Sequence, residues 1–385
     1  MNMPPLMDDG FAGEPPAKRV LNYMQGHKQK GDPIVGIYCG YAPIELIQAL
    51  GLVPAVLCAF SKVPIPAAET VLPANLCPLI KSSYGFIVEG TCPFYAMSQA
   101  VIAETTCDGK KKMFELIADI KPTHVMDLPQ MPDQQEAQRN WKQMILKLQG
   151  FLEKNFDRRA DRHQIEAALQ ASNRKNALVQ KIFDYAALTP SVLHWKEMYE
   201  VCFLALPATY AEMQPILEAL LPKLERRVQE GVHFGPPGAP RVLVTGCPIG
   251  GDATKIFNVI EAAGGVVVAP DSCTGLKPFL NFFAENTDDP VGALAERYLK
   301  LPCACMTPND GRLSHLSALI ERFKPDVVID FVLQACHGYN VESYKVGKHV
   351  QETHGLPFLK VETDYSDGDT EQLKTRVEAL FERIR

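Results

Sequence analysis

Arg241-Val242-Leu243-Val244-Thr245-Gly246-Cys247-Pro248-Ile249-Gly250-Gly251 reads as a buried strand that breaks at a glycine and delivers a thiol. A short apolar run rich in β-branched residues and bounded by Gly and Pro is a strand signal. The same arrangement recurs along the chain. Cys39 follows Ile34-Val35-Gly36-Ile37-Tyr38, Cys273 lies just past Gly265-Val266-Val267-Val268-Ala269, and Cys336 closes the run from Asp326 to Gln334. Helical stretches separate the runs, at residues 43–50, 252–263, about 291–299 and 312–323. Strand and helix in alternation imply a parallel sheet. The ends of parallel strands gather at one edge, and open α/β proteins bind ligands there.

Working outward, the pattern divides the chain into four parts. Residues 1–30 form a tail and short helix, 31–133 a first α/β lobe, 134–236 a helical connector and 237–385 a second α/β lobe. The first lobe shows strands at 33–38, 53–57 and 123–128, with a proline-rich, cysteine-bearing loop region up to about Gly90. In the connector, Trp141, Ile145, Leu148 and Leu152, then Ile165, Leu169, Leu178 and Ile182, keep helical spacing. The turn-rich stretch from His233 to Pro240 marks the next boundary, and a strand at 357–361 and a helix at 370–384 close the second lobe. The expected architecture is two Rossmann-like lobes with parallel sheets, joined by helices.

Composition excludes several classes of function. The 385 residues carry a formal net charge of −6 and no long basic stretch, which argues against nucleic acid as a main partner. The cluster Lys110-Lys111-Lys112 reads as the solvated start of a helix. No apolar run has the length needed to span a bilayer, and the N-terminal residues lack the apolar core of a signal peptide. A cytoplasmic setting is expected, where thiols prevail over disulfides. The odd count of 11 cysteines also fits a fully paired framework poorly.

Three thiols precede proline, in Cys77-Pro78, Cys92-Pro93 and Cys247-Pro248. Proline fixes φ and presents the preceding thiol from a stiff loop. There is no CxxC pair; Cys303-Ala304-Cys305 is the one closely spaced couple. Ligation by sulfur alone suits iron–sulfur clusters best. Cys202, inside an apolar helical run, and Cys58, in an expected strand, read as small hydrophobes. The glycines after the strand at 241–245 match neither common nucleotide motif, and Pro248 removes a backbone N–H from any phosphate cradle. Glu45, after the Cys39 loop, and His337, beside Cys336, are the candidate acid–base groups. For His337, hydrogen-bond support of a group held by Cys336 is the favoured role.

Four stretches carry a family resemblance: Asn-Leu-Cys-Pro-Leu-Ile-Lys-Ser-Ser-Tyr-Gly-Phe (75–86), Glu-Thr-Thr-Cys-Asp-Gly-Lys-Lys-Lys (104–112), Gln-Ala-Cys-His (334–337) and Val-Glu-Thr-Asp-Tyr-Ser (361–366). From about residue 30 to its end, the chain resembles the 2-hydroxyacyl-CoA dehydratase family, which includes benzoyl-CoA reductase subunits. The resemblance implies a four-iron cluster held by Cys77, Cys107 and Cys336. It also implies low-potential electrons from a separate ATP-hydrolysing activator protein that carries its own cluster. Cys92-Pro93, the glycine-rich stretch 245–251 and Cys303-Ala304-Cys305 resemble the double-cubane cluster branch. That branch implies a homodimer in which each chain holds two cubanes joined by a bridging sulfide, with three cysteines per cubane, in the interlobe cleft. The second trio is assigned to Cys92, Cys247 and Cys305, with Cys39, Cys273 and Cys303 in reserve. The activity implied is reduction of a small molecule. A single-cluster dehydratase subunit and a non-catalytic electron-storage protein are the alternatives.

Overall fold

Runs of buried Val, Ile and Ala build two separate sheets in the computed structural model, which describes residues 15–384. The expected tail at residues 1–14 lies outside the described residues. The first lobe opens with helix α1 (Pro16–Lys30). It continues with β1 (Ile34–Ile37), α2 (Ile44–Ala49), β2 (Val53–Val56), α3 (Ile65–Ala68), α4 (Pro78–Val88), α5 (Pro93–Met97), β3 (Ala100–Glu104), α6 (Asp108–Ala118) and β4 (Thr123–Met126). The connector is four helices, α7 (Gln135–Phe156), α8 (Arg162–Ala187), α9 (Trp195–Ala205) and α10 (Tyr210–Gln229). The second lobe comprises β5 (Arg241–Gly246), α11 (Lys255–Ala262), β6 (Val266–Asp271), α12 (Pro290–Leu299), α13 (Asp310–Phe323), β7 (Val327–Leu333), α14 (His337–His354), β8 (Phe358–Thr363) and α15 (Thr370–Glu382).

Both sheets are four-stranded and parallel, in the orders β2-β1-β3-β4 and β6-β5-β7-β8. The strand order reverses between β1 and β3 in one sheet and between β5 and β7 in the other. A crevice opens at such a reversal, beyond the carboxyl ends of the strands. Three findings depart from the sequence reading, the first being that it has no counterpart for α14, the 18-residue helix between β7 and β8. The central strand β3 is also absent from that reading, because five residues of small apolar character give little period-2 signal. The stretch read as loop up to Gly90 also contains α4. Gly85 lets that helix press onto the backbone of Pro64, where an added Cβ would stand 2.0 Å from the Pro64 carbonyl oxygen.

One apolar cluster runs between the lobes. It joins Tyr38, Leu57, Cys77 and Ile80 to Cys247, Phe331, Leu333 and Tyr365. A second seats the connector against the sheet of the second lobe, and a third packs it on the first lobe around Trp141, which is fully buried. The connector is thus a shared wall that fixes how the two crevices face each other. Among the described residues no helix is long and apolar enough to cross a membrane.

Gly246 is where β5 leaves the sheet. Its φ is +122°, and an added Cβ would meet the Phe331 carbonyl oxygen at 2.1 Å. Gly246→Ala should therefore cost roughly 2–4 kcal/mol in urea unfolding, from left-handed strain plus backbone collision. Gly31→Ala, also at positive φ but with nothing within 4 Å, should cost only about 1 kcal/mol.

Candidate metal centre

Two of the three Cys-Pro pairs, at Cys77 and Cys92, find a local explanation in helix starts, whereas Cys247 follows β5. Cys77, Cys92, Cys107 and Cys336 are the N-cap residues of α4, α5, α6 and α14. Proline at the first helical position is tolerated because its missing N–H has no partner there in any case. The Tyr95 N–H donates to Cys92 Sγ at 3.3 Å and the Lys110 N–H to Cys107 Sγ at 3.4 Å. Free amides at a helix start favour negative charge on these sulfurs, but burial outweighs them at Cys92 and Cys107, whose thiols are pushed up, and neighbouring thiols and burial raise Cys77 and Cys336 as well.

The thiols gather in two neighbouring groups. In the first, Cys77 lies within side-chain hydrogen-bonding range of Cys336, and Cys336 within range of Cys247. Cys107 interacts electrostatically with Cys77. Cys247 is tied to the reversal point of the second sheet: its N–H donates to the Phe331 carbonyl, and its sulfur accepts from the Leu333 N–H at 3.4 Å. In the second group, Cys303 lies within hydrogen-bonding range of Cys305, Cys39 interacts with Cys273 and Cys303, and Cys273 with Cys58. All 11 cysteines are free.

The expected second trio of Cys92, Cys247 and Cys305 is spread over three places. Cys247 joins the first group and Cys305 the second. The interactions of Cys92 run to Tyr95, Phe94 and Lys121. Cys92 lines an apolar cavity of about 250 Å³ with Phe60, Phe86, Phe94 and Phe203, and Cys58 forms part of the same wall. Cys202 is fully buried in α9, as its apolar setting requires. Cys58 follows β2 instead of lying within it, and donates to the Tyr38 carbonyl at 2.8 Å.

Electrostatics differ between thiols. Burial pushes Cys39 and Cys58 up, and Cys273 to about 11. Cys303 moves the other way, to about 5. The hydrogen bond from Cys305 is the main cause, and Lys277 and the Tyr339 hydroxyl assist.

Polar side chains sort in the same way. Glu45 is buried and its carboxylate is occupied: Ser172 and Tyr298 each donate to it at 2.7 Å. It pins the first lobe to α8 and α12. His337 is exposed in the first turn of α14, next to Cys336. Glu104 ends β3, is fully buried, and neither of its oxygens has a hydrogen-bond partner among the described residues. Burial raises its carboxyl to about 8. The lysine cluster does start a helix, but it is not uniformly solvated: Lys110 is buried, while Lys111 and Lys112 are exposed. In the second lobe Asp271 accepts from Thr245 and His315 and stands 3.8 Å from the Lys277 ammonium. Arg312, also buried, pairs with Asp330 and Glu342. Among the described residues, no three His, Cys, Asp or Glu side chains are placed to hold a metal ion.

Fold and site together define a two-lobed α/β protein with strand-end thiols meeting between its lobes. The family described as 2-hydroxyglutaryl-CoA dehydratase, D-component, matches residues 39–384, and the chain belongs to that family. It is 41% identical to the putative dehydratase subunit YjiM of Escherichia coli (strain K12), over 93% of each chain. It is 21% identical to the (R)-phenyllactyl-CoA dehydratase beta subunit of Clostridium sporogenes, over 96% of each. It is 22% identical to the lactoyl-CoA dehydratase subunit beta of Anaerotignum propionicum, over 92% of this chain and 93% of that one. Among solved structures, the periplasmic heme-binding protein RhuT from Roseiflexus sp. RS-1 aligns over 92% of this chain and 99% of its own at 14% identity, with a TM-score of only 0.21.

The thiol electrostatics are checked by alkylation of the metal-free, reduced chain. A thiolate predominates above the pKa, and the hydrogen bond between Cys303 and Cys305 lowers one thiol while raising the other, so one thiol of this pair should label fast and with little change in rate between about pH 6.5 and pH 8.5. Cys273 should label roughly tenfold or more slowly and speed up steadily with pH. Cys202 should stay unlabelled until the chain unfolds. Peptide mass spectrometry reads all three sites at once.

Proposed function

We propose that this dehydratase-family component is an iron–sulfur oxidoreductase. It would reduce a small molecule with low-potential electrons from a separate ATP-hydrolysing iron–sulfur activator. The observation that carries the reading is the meeting of thiols from both lobes at the two sheet reversals, in larger number than a single cubane needs. The donor set fits such a group: soft sulfur ligands, helix-start amides beside them, and the buried cations Lys110 and Lys277. A cluster spans more space than a single ion, so its ligands need not converge on one point. Bound in the cleft, a double-cubane cluster would supply electrons at an exposed iron or sulfide.

Cys77, Cys107 and Cys336 remain the ligands proposed for the first cubane. For the second, the grouping of Cys39, Cys273 and Cys303 supports these three over the trio of Cys92, Cys247 and Cys305. His337, exposed beside Cys336, is the better placed of the two acid–base candidates, since the Glu45 carboxylate is committed to Ser172 and Tyr298. Helix α14 also presents Val341 and Tyr344, each 77% exposed, an apolar pair that supports self-association as a homodimer.

A second reading is a lyase subunit that holds one four-iron cluster and works with a sister chain; the names of two relatives, both dehydratase beta subunits, support its lyase and subunit parts. Anaerobic purification with iron and sulfide quantification separates the two. The double-cubane reading expects a brown protein with about eight irons per chain, the single-cubane reading about four. Cys39→Ser with Cys303→Ser should remove about half of the iron, and Cys92→Ser should remove none. A colourless, iron-free protein from cells able to assemble clusters sinks both. Loading without turnover, when activator, ATP and a panel of small reducible compounds are supplied, would leave electron storage as the role.

A further inference from the structure

Lys110 is the one member of its run that turns away from water. It is 8% exposed, while Lys111 and Lys112 pair at the surface with Asp108 and Glu115. Helix α6 begins directly after Cys107, so its first turn brings the Lys110 side chain over the end of β1. There the ammonium donates to the Tyr38 carbonyl at 3.3 Å. An ammonium has three protons to donate. Among the described residues no carboxylate is in ion-pair contact with it.

The other buried lysines are satisfied. Lys81 reaches Glu69 and the Ala74 carbonyl, and Lys255 reaches Asp369 and the Ser366 carbonyl. Lys175 bonds two carbonyls, of Ala205 and Ala208, at 2.8 and 2.6 Å. Lys277 has the Pro302 carbonyl and Asp271. Lys110 is left with one long bond and the Phe114 ring 6.0 Å away; Cys58 donates to the same Tyr38 carbonyl, the Lys110 N–H bonds Cys107 Sγ, and the Glu104 carboxyl at the end of β3 is unpartnered. A buried cation with no carboxylate in ion-pair contact is costly.

We propose that Lys110 is the counter-ion of the anionic group held by the thiols, a positioning residue whose charge makes that group easier to reduce. The inference rests on the iron–sulfur reading above. Reduction adds one electron, and so one negative charge, to a site already rich in sulfur anions. A fixed ammonium beside it stabilises the reduced state more than the oxidised one, and burial limits the screening by water and salt. The effect requires charge and not hydrogen-bond geometry alone, so arginine should substitute where methionine cannot.

The test uses the full-length protein, purified anaerobically as wild type, Lys110→Met, Lys110→Arg and Lys111→Met. Iron and sulfide content, circular dichroism and a redox titration followed by EPR are read on each. Lys110→Met should load iron and be at least tenfold harder to reduce, which for one electron is a fall of 59 mV or more. Lys110→Arg and Lys111→Met should titrate with the wild type. Loss of iron in Lys110→Met with retention in Lys110→Arg, both folded, supports the same conclusion. An unchanged potential in iron-loaded Lys110→Met overturns the inference alone, as does equal loss of iron in both Lys110 variants. A wild-type protein without iron overturns the cluster reading and this inference with it.

Discussion

Parallel pairing at two strand reversals is the constraint on which the arrangement depends. In the first sheet Val35 faces Ala100 and Ile37 faces Ile102. In the second Val242 faces Val327 and Gly246 faces Phe331. Those registers decide where each strand stops, and each stop decides where the following thiol lands. A slip of one residue would invert the faces of a whole strand, which buried β-branched side chains on both surfaces do not permit. The placement of Cys39, Cys107, Cys247 and Cys336 is therefore a by-product of how two ordinary sheets pair.

What turns two sheet edges into one cleft is the set of ties between the lobes. Glu45 is one such tie: its carboxylate is buried and takes hydrogen bonds from both the connector and α12. Breaking such a site exposes the cost of an unpaired buried acid, about 1–3 kcal/mol. Surface ties such as Lys62 with Asp367 are solvated and contribute little, though they help align the loops at the cleft rim. A cofactor-binding cleft profits from this rigidity, because a ligand shell assembled from distant segments has no local chain to hold its geometry.

The alternation of strand and helix was legible because apolar runs ending in Gly or Cys are strong local signals. Much of the second lobe was readable, including β5, β7 and α13, but the 18-residue helix α14 between β7 and β8 was not. The misses have physical reasons. β3 is short and made of small residues, so its central position became visible only through its partners on both sides. At α4, glycine and two serines disguised a helix that must approach the Pro64 backbone closely. Cys92 shows the reach of a motif: Cys-Pro does mark a helix start there, but a local signal carries no address, and that helix opens into a different wall. Lys110 shows the reach of charge counting, since three adjacent lysines are indistinguishable until helix phase and strand geometry single out one.

The placement of Cys336 has a bearing on how the protein is made. Cys77 belongs to the first-synthesised lobe, yet it interacts with Cys336, which follows β7 of the last-synthesised one and in turn interacts with Cys247 after β5. A nascent chain that has completed only its first sheet therefore presents Cys39, Cys58, Cys77 and Cys107 without their partners. The grouping of thiols across the cleft can therefore form only after β7 and the start of α14 have been made, so it is a late event in the synthesis of the chain.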